Sequence, residues 1–97
     1  MNANAKLYAQ NDNIVRRDIA DETILVPIRG NLADMQRIYA LDPVADFIWM
    51  QLDGKQSVGK IHSSLMDNFD VDAKQAALDL NEFIDKLLQA NLIEEVA

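Results

Sequence analysis

The chain has 97 residues, 49 % of them apolar, which suits one domain with its own core and no covalent staples. It contains no cysteine, which excludes disulfides, thiolate metal sites and cysteine nucleophiles and fits a reducing compartment. The net charge of −7 falls on residues 42–97, while residues 1–41 balance five basic groups with five acidic ones, so nucleic acid is not an expected partner.

The opening "MNANAKLYAQNDN" is polar, Asn-rich and without periodicity, so residues 1–13 are expected to be a frayed tail and 14–97 the domain. It lacks the charged start and apolar run of a signal peptide. The runs "ILVPI" and "FIWM" are too short to span a bilayer. A cytoplasmic protein without a membrane partner is therefore expected.

Residues 14–41 read as strands. "NIVRRDIA" is short and β-prone, and "ETILVPIRG" is β-branched and apolar. Pro27 removes a ladder donor, which predicts a sheet edge or an irregularity there. Gly30-Asn31 signals a turn, and "ADMQRIYAL" follows as a third strand. Three strands joined by short connections predict an antiparallel meander.

The apolar period then changes from 2 to 3.6. Asp42-Pro43 reads as an N-cap followed by proline at the first helical position, with Val44, Phe47, Ile48 and Leu52 as a stripe and Gly54 as the stop. Trp49 lies two residues beyond Phe47 and is expected at the boundary of that stripe. "DGKQS" is read as a turn. Ser57 caps a second helix with Val58, Ile61, Leu65, Met66 and Phe69 inward. Asp72 caps the longest helix, from 73 to about 90, with the stripe Ala73, Ala76, Ala77, Leu80, Phe83, Ile84, Leu87 and Leu88. Asn91 suits a left-handed C′ position. "LIEEV" is a short extended end. Strands followed by helices predict an α+β fold, a three-stranded antiparallel sheet followed by three helices, like a winged helix-turn-helix.

Residues for catalysis are sparse. His62 is the one histidine and reads as a surface or boundary residue. "DNFDVDAK" lacks the Gly and Glu of a calcium loop. The three glycines form no phosphate-cradling loop. No catalytic, cofactor-binding or metal-ligating residue is assigned, and the chain is not expected to be an enzyme.

Binding remains. A winged-helix DNA-binding regulator needs a basic recognition helix, whereas Asp72, Lys74, Asp79, Glu82, Asp85 and Lys86 leave the third helix acidic. Peptide capture by strand addition needs only a free sheet edge and nearby pockets. At ~100° per residue, Leu78 faces away from the Leu80 stripe, among Lys74, Asn81, Asp85 and Gln89. That gives the helix a second apolar angle which could line a groove.

Residues 41–93 carry a resemblance. Leu41-Asp42, Ile48-Trp49, Leu52-Asp53-Gly54, Ser57, Ile61, Leu65, Phe69-Asp70-Val71-Asp72, Asp79-Leu80, Phe83, Leu87 and Leu92-Ile93 stand in a characteristic order and spacing. In these positions the chain resembles the pyrroloquinoline quinone biosynthesis protein D (PqqD-like) family, the precursor-peptide recognition elements of ribosomal peptide (RiPP) maturation. Asn91 stands where many relatives have Gly, and Ile84 where Leu is usual.

The resemblance implies a non-catalytic adaptor without a cofactor. Such a peptide chaperone binds the leader of a precursor peptide and presents it to a radical S-adenosylmethionine (radical SAM) maturase. The leader adds to the third strand, Ala33 to Ala40, beside the strand-facing side of the third helix from Ala73 to Leu87. Alternate residues of that strand face the cleft, either Met35, Arg37 and Tyr39 or Asp34, Gln36 and Ile38. The assigned peptide-binding residues are Arg37, Ile38, Tyr39, Leu78, Asp79, Glu82 and Phe83. Arg16, Arg17, Arg29 and Arg37 would suit acidic leader residues. A free edge admits a monomer or a strand-paired dimer. The alternatives are the DNA-binding regulator and a subunit that only docks on a maturase.

Overall fold

The computed structural model describes residues 5–27 and 39–96. Its elements run β1 (Leu7–Gln10), β2 (Ile14–Ile19), β3 (Glu22–Pro27), β4 (Tyr39–Leu41), α1 (Pro43–Gln51), β5 (Asp53–Ser57), α2 (Val58–Asn68), α3 (Ala73–Gln89) and β6 (Ile93–Val96). β2, β3 and β4 form the expected antiparallel meander, which precedes the three helices in an α+β arrangement. The winged-helix likeness is loose, because a second three-stranded sheet, β5-β1-β6, is woven through the helical part.

That second sheet corrects two expectations. Leu7–Gln10 are not a frayed tail but the middle strand, antiparallel to β5 on one side and β6 on the other. Tyr8 is buried in the core, and the Leu7↔Val96 to Gln10↔Ile93 register joins the two ends of the chain. "DGKQS" is likewise a strand rather than a simple turn. Between Leu7↔Ser57 and Ala9↔Asp53, β5 has extra residues, a bulge in which Gly54 takes φ +79°. A Cβ there would lie 3.3 Å from Ala9 Cβ and 3.4 Å from Val96 Cγ2, so Gly54 serves strand packing and not the helix stop.

The helix ends obey local chemistry. Asp42 Oδ1 accepts from Ala45 N at 2.7 Å, Ser57 Oγ from Lys60 N at 3.2 Å and Asp72 Oδ2 from Gln75 N at 3.0 Å. α3 closes with Asn91 at φ 60°, Asn91 N donating to Leu88 O and Leu92 N to Leu87 O, a Schellman motif.

A single cluster of buried side chains joins both sheets and all three helices, from Tyr8 and Leu25 through Leu52 and Leu80 to Ile93. Trp49 is 1 % exposed, so it is core and not a boundary residue. Ile48, Trp49 and Leu52 are buried while Val44, Ala45 and Phe47 are half-buried, because α1 is packed on more than one side. Phe47 meets Phe69 edge-on at 5.4 Å between ring centroids, which ties α1 to the α2–α3 link. Met66, expected inward on α2, is exposed. Among the described residues, no helix is long and apolar enough to cross a membrane.

Candidate functional site

β4 ends the strand order β2-β3-β4, so among the described residues one of its edges has no strand partner. The register Tyr39↔Leu25, Ala40↔Ile24, Leu41↔Thr23 sets the side-chain alternation. Leu41 is buried, Ala40 exposed and Tyr39 half-buried against the core, as a period of 2 requires. Beside this edge lies a cavity of about 280 Å³ lined by Tyr39 of β4 and by Lys86, Gln89 and Ala90 at the C-terminal end of α3. Among the described residues, a strand edge without a strand partner thus stands next to a cavity of about 280 Å³.

The sequence-assigned residues distribute as follows. Tyr39 is in the pocket wall. Phe83 is half-buried and packs on the core one turn before Lys86. Glu82 is exposed and pairs with Lys86 at 3.5 Å. Asp79 is exposed and accepts from Gln75 Nε2 at 2.9 Å. By helical periodicity, Asp79, Phe83, Lys86 and Ala90 share one stripe, with Glu82 and Gln89 beside it. Leu78 is 58 % exposed, turned towards solvent and about 16 Å along the axis from Gln89. It therefore does not line the Tyr39 pocket. Arg37, Ile38 and most of the Ala33–Ala40 segment lie outside the described residues.

Lys86, Gln89 and Ala90 were missed by sequence reasoning. Their i, i+3, i+4 spacing runs on from Asp79, Glu82 and Phe83, so the stripe was legible but not its far end. Which turns of α3 lie beside β4 depends on how the helix is set against the sheet.

Of the four arginines expected to suit acidic leader residues, Arg16 and Arg17 are among the described residues. Arg16 binds Asp46 of α1 through Nε to Oδ1 at 2.6 Å and Nη2 to Oδ2 at 2.8 Å, and Asp18 through Nη1 at 3.1 Å. The guanidinium beside it holds the Asp46 carboxyl below its ordinary value, and hydrogen bonding to Asp46 raises Arg16 further above its own. Arg16 is therefore not free for acidic leader residues. It lies with exposed Arg17 on β2, the strand farthest from the β4 edge. Arg29 and Arg37 lie outside the described residues. Among the described residues no three His or carboxylate side chains converge as a metal ion would require. His62 is half-buried and bonds through Nε2 to the Ala73 carbonyl at 2.8 Å, which fastens α2 to the first turn of α3.

The profile of coenzyme PQQ synthesis protein D (PqqD) matches residues 22–93, most of the chain. The chain belongs to the PqqD family. The match spans β3 to the start of β6 and leaves β1 and β2 outside. Among solved structures, the chain is similar to "TbiB1 in Complex with the TbiA(beta) Leader Peptide", with TM-score 0.72 and 25 % identity, covering 92 % of this chain and 98 % of that one. No curated protein matches it significantly.

Proposed function

We propose that this PqqD-family chain is a non-catalytic adaptor that captures the leader of a ribosomally made precursor peptide and presents it to a radical SAM maturase. The leader would add as an antiparallel strand to the free edge of β4, with its side chains directed alternately towards α3. The observation that carries this reading is the β4 edge, without a strand partner among the described residues, beside a pocket built from Tyr39 and the Lys86–Ala90 turn of α3. The complex of the similar TbiB1 with a leader peptide supports it.

Backbone pairing along β4 would supply sequence-tolerant affinity. Specificity would fall to Arg37, Ile38 and Tyr39 on the strand side and to Asp79, Glu82, Phe83 and Lys86 on the helix. Leu78, on the solvent ridge of α3, is better placed to meet the maturase than the leader.

The test is a titration of ¹⁵N-labelled chain with the leader segment of a precursor encoded beside it. Saturable shifts on Tyr39–Leu41 and on the Asp79–Ala90 stripe are expected. Shifts confined to β5, or none at all, would refute the reading.

A further inference from the structure

We infer that Arg16 and Asp46 form a latch that sets the meander sheet on α1 and thereby positions Tyr39, the strand wall of the cleft. This deepens the reading above and rests on the β4–α3 cleft being the peptide site.

Arg16 pairs across from Leu25, and Leu25 pairs across from Tyr39. Residues directly opposite in antiparallel strands share a face, so Arg16, Leu25 and Tyr39 form one row across the sheet. Leu25, in the middle, is fully buried, so the row faces the body of the protein. Its two ends do different things. At the β2 end, Arg16 grips Asp46 of α1 with two parallel hydrogen bonds. At the β4 end, about 10 Å away at the usual strand spacing, Tyr39 lines the pocket against α3.

Besides the shared core, the sheet is tied to α1 at two places. One is covalent: β4 runs through Asp42 directly into α1. The other is the Arg16–Asp46 pair at the opposite edge of the sheet. Among the described residues it is the ion pair that joins the meander to a helix, since Lys6–Glu95 lies between strands, Arg16–Asp18 within β2 and Lys86–Glu82 within α3. A bidentate guanidinium–carboxylate contact is directional and fixes a plane as well as a distance. Both side chains are partly shielded, at 29 % and 23 % exposure, unlike Asp18 at 62 %. Thr23 Oγ1 and Arg16 Nη1 both donate to Asp18, which braces the arginine from within the sheet. With the β2 tie released, core packing alone sets the tilt of the sheet beyond Asp42, and a change of tilt moves Tyr39 relative to Lys86 and Ala90.

The experiment compares Asp46→Ala, Arg16→Met, the double variant and, as a control, Glu95→Gln, which removes an ion pair elsewhere. The first readout needs no ligand. Nuclear Overhauser contacts between the Tyr39 ring and the Ala90 methyl are expected to fade in both single variants and to fade no further in the double. Helical circular dichroism should be retained, and Glu95→Gln should leave the contacts intact. Unchanged Tyr39–Ala90 contacts in either single variant, or additive effects in the double, would overturn the latch. If Asp46→Ala does not fold, Arg16→Met, which keeps the side-chain stem, decides the question alone.

The second readout uses a peptide selected on the wild-type chain from a displayed library of random dodecapeptides and mapped to β4. Its affinity is expected to fall about tenfold in both single variants, as when only a tenth of molecules hold the competent arrangement. Equal affinity in all variants would also overturn the latch. A library that yields no β4-binding peptide would count against the peptide site itself, and the Tyr39–Ala90 contacts would still decide the latch.

Discussion

Two residues with positive φ test the same backbone physics in opposite directions. Ala20 follows β2 at φ 56°, where a Cβ crowds the next carbonyl, so Ala20→Gly should stabilise the fold by about 1 kcal/mol in urea unfolding. Gly54→Ala should destabilise it by at least about 1–2 kcal/mol, because φ +79° and the approach to Ala9 both oppose a side chain. Trp49→Ala should cost about 3–5 kcal/mol by emptying a fully buried site, whereas a boundary Trp would cost much less. Asp46 and Asp53 give the pH dependence its sign. Arg16 holds down the first, and the Lys55 backbone N–H holds down the second, both from an ordinary value of 3.8. A depressed folded value means the unfolded chain binds protons first, so their contribution is complete above about pH 3.8 and is lost as pH falls below it. The urea midpoint should drop on acidification, and Asp46→Asn should flatten that drop.

The elements differ in how locally they are specified. All three helices start on caps that sequence alone predicts, and α3 ends on the Asn91 motif it predicts as well. Asp72→Ala should cost about 1 kcal/mol and fray the first turn of α3, read as faster amide exchange at Lys74 and Gln75. The strands of the meander were legible too, because period-2 apolar runs and short connections act over a few residues. β1 and β5 were not. "LYAQ" and "DGKQS" are short and mixed in polarity, and each becomes a strand only through partners far along the chain. The same limit applies to the cleft. The stripe through Asp79, Phe83 and Lys86 follows from helical spacing, but its meeting with Tyr39 near Ala90 does not.

At the scale of the whole molecule, β1 holds the β5-β1-β6 sheet together, since β5 and β6 pair through it. Removing residues 1–12 would strip that strand, bury Tyr8 no longer and break the Gln10 N to Leu52 O, Asn11 N to Leu92 O and Val58 N to Lys6 O bonds. Small domains have only about 5–15 kcal/mol in hand, so the truncated chain should be largely unfolded by circular dichroism. A melt within about 5 °C of the full chain, roughly a 1 kcal/mol change, would show the segment to be dispensable after all. By itself, the sequence determined the α+β class, the order of the meander and the three helices, the helix N-caps, the Asn91 end of α3 and the family resemblance. Each depends on residues a few positions apart, or on an ordered pattern along the chain. Only the tertiary structure decided that the amino-terminal segment is a central strand, that Trp49 is core, that Arg16 is spent on Asp46, and that Tyr39 faces the last turns of α3. Those outcomes depend on which faces meet between segments far apart in the sequence, and neither propensity nor periodicity carries that information.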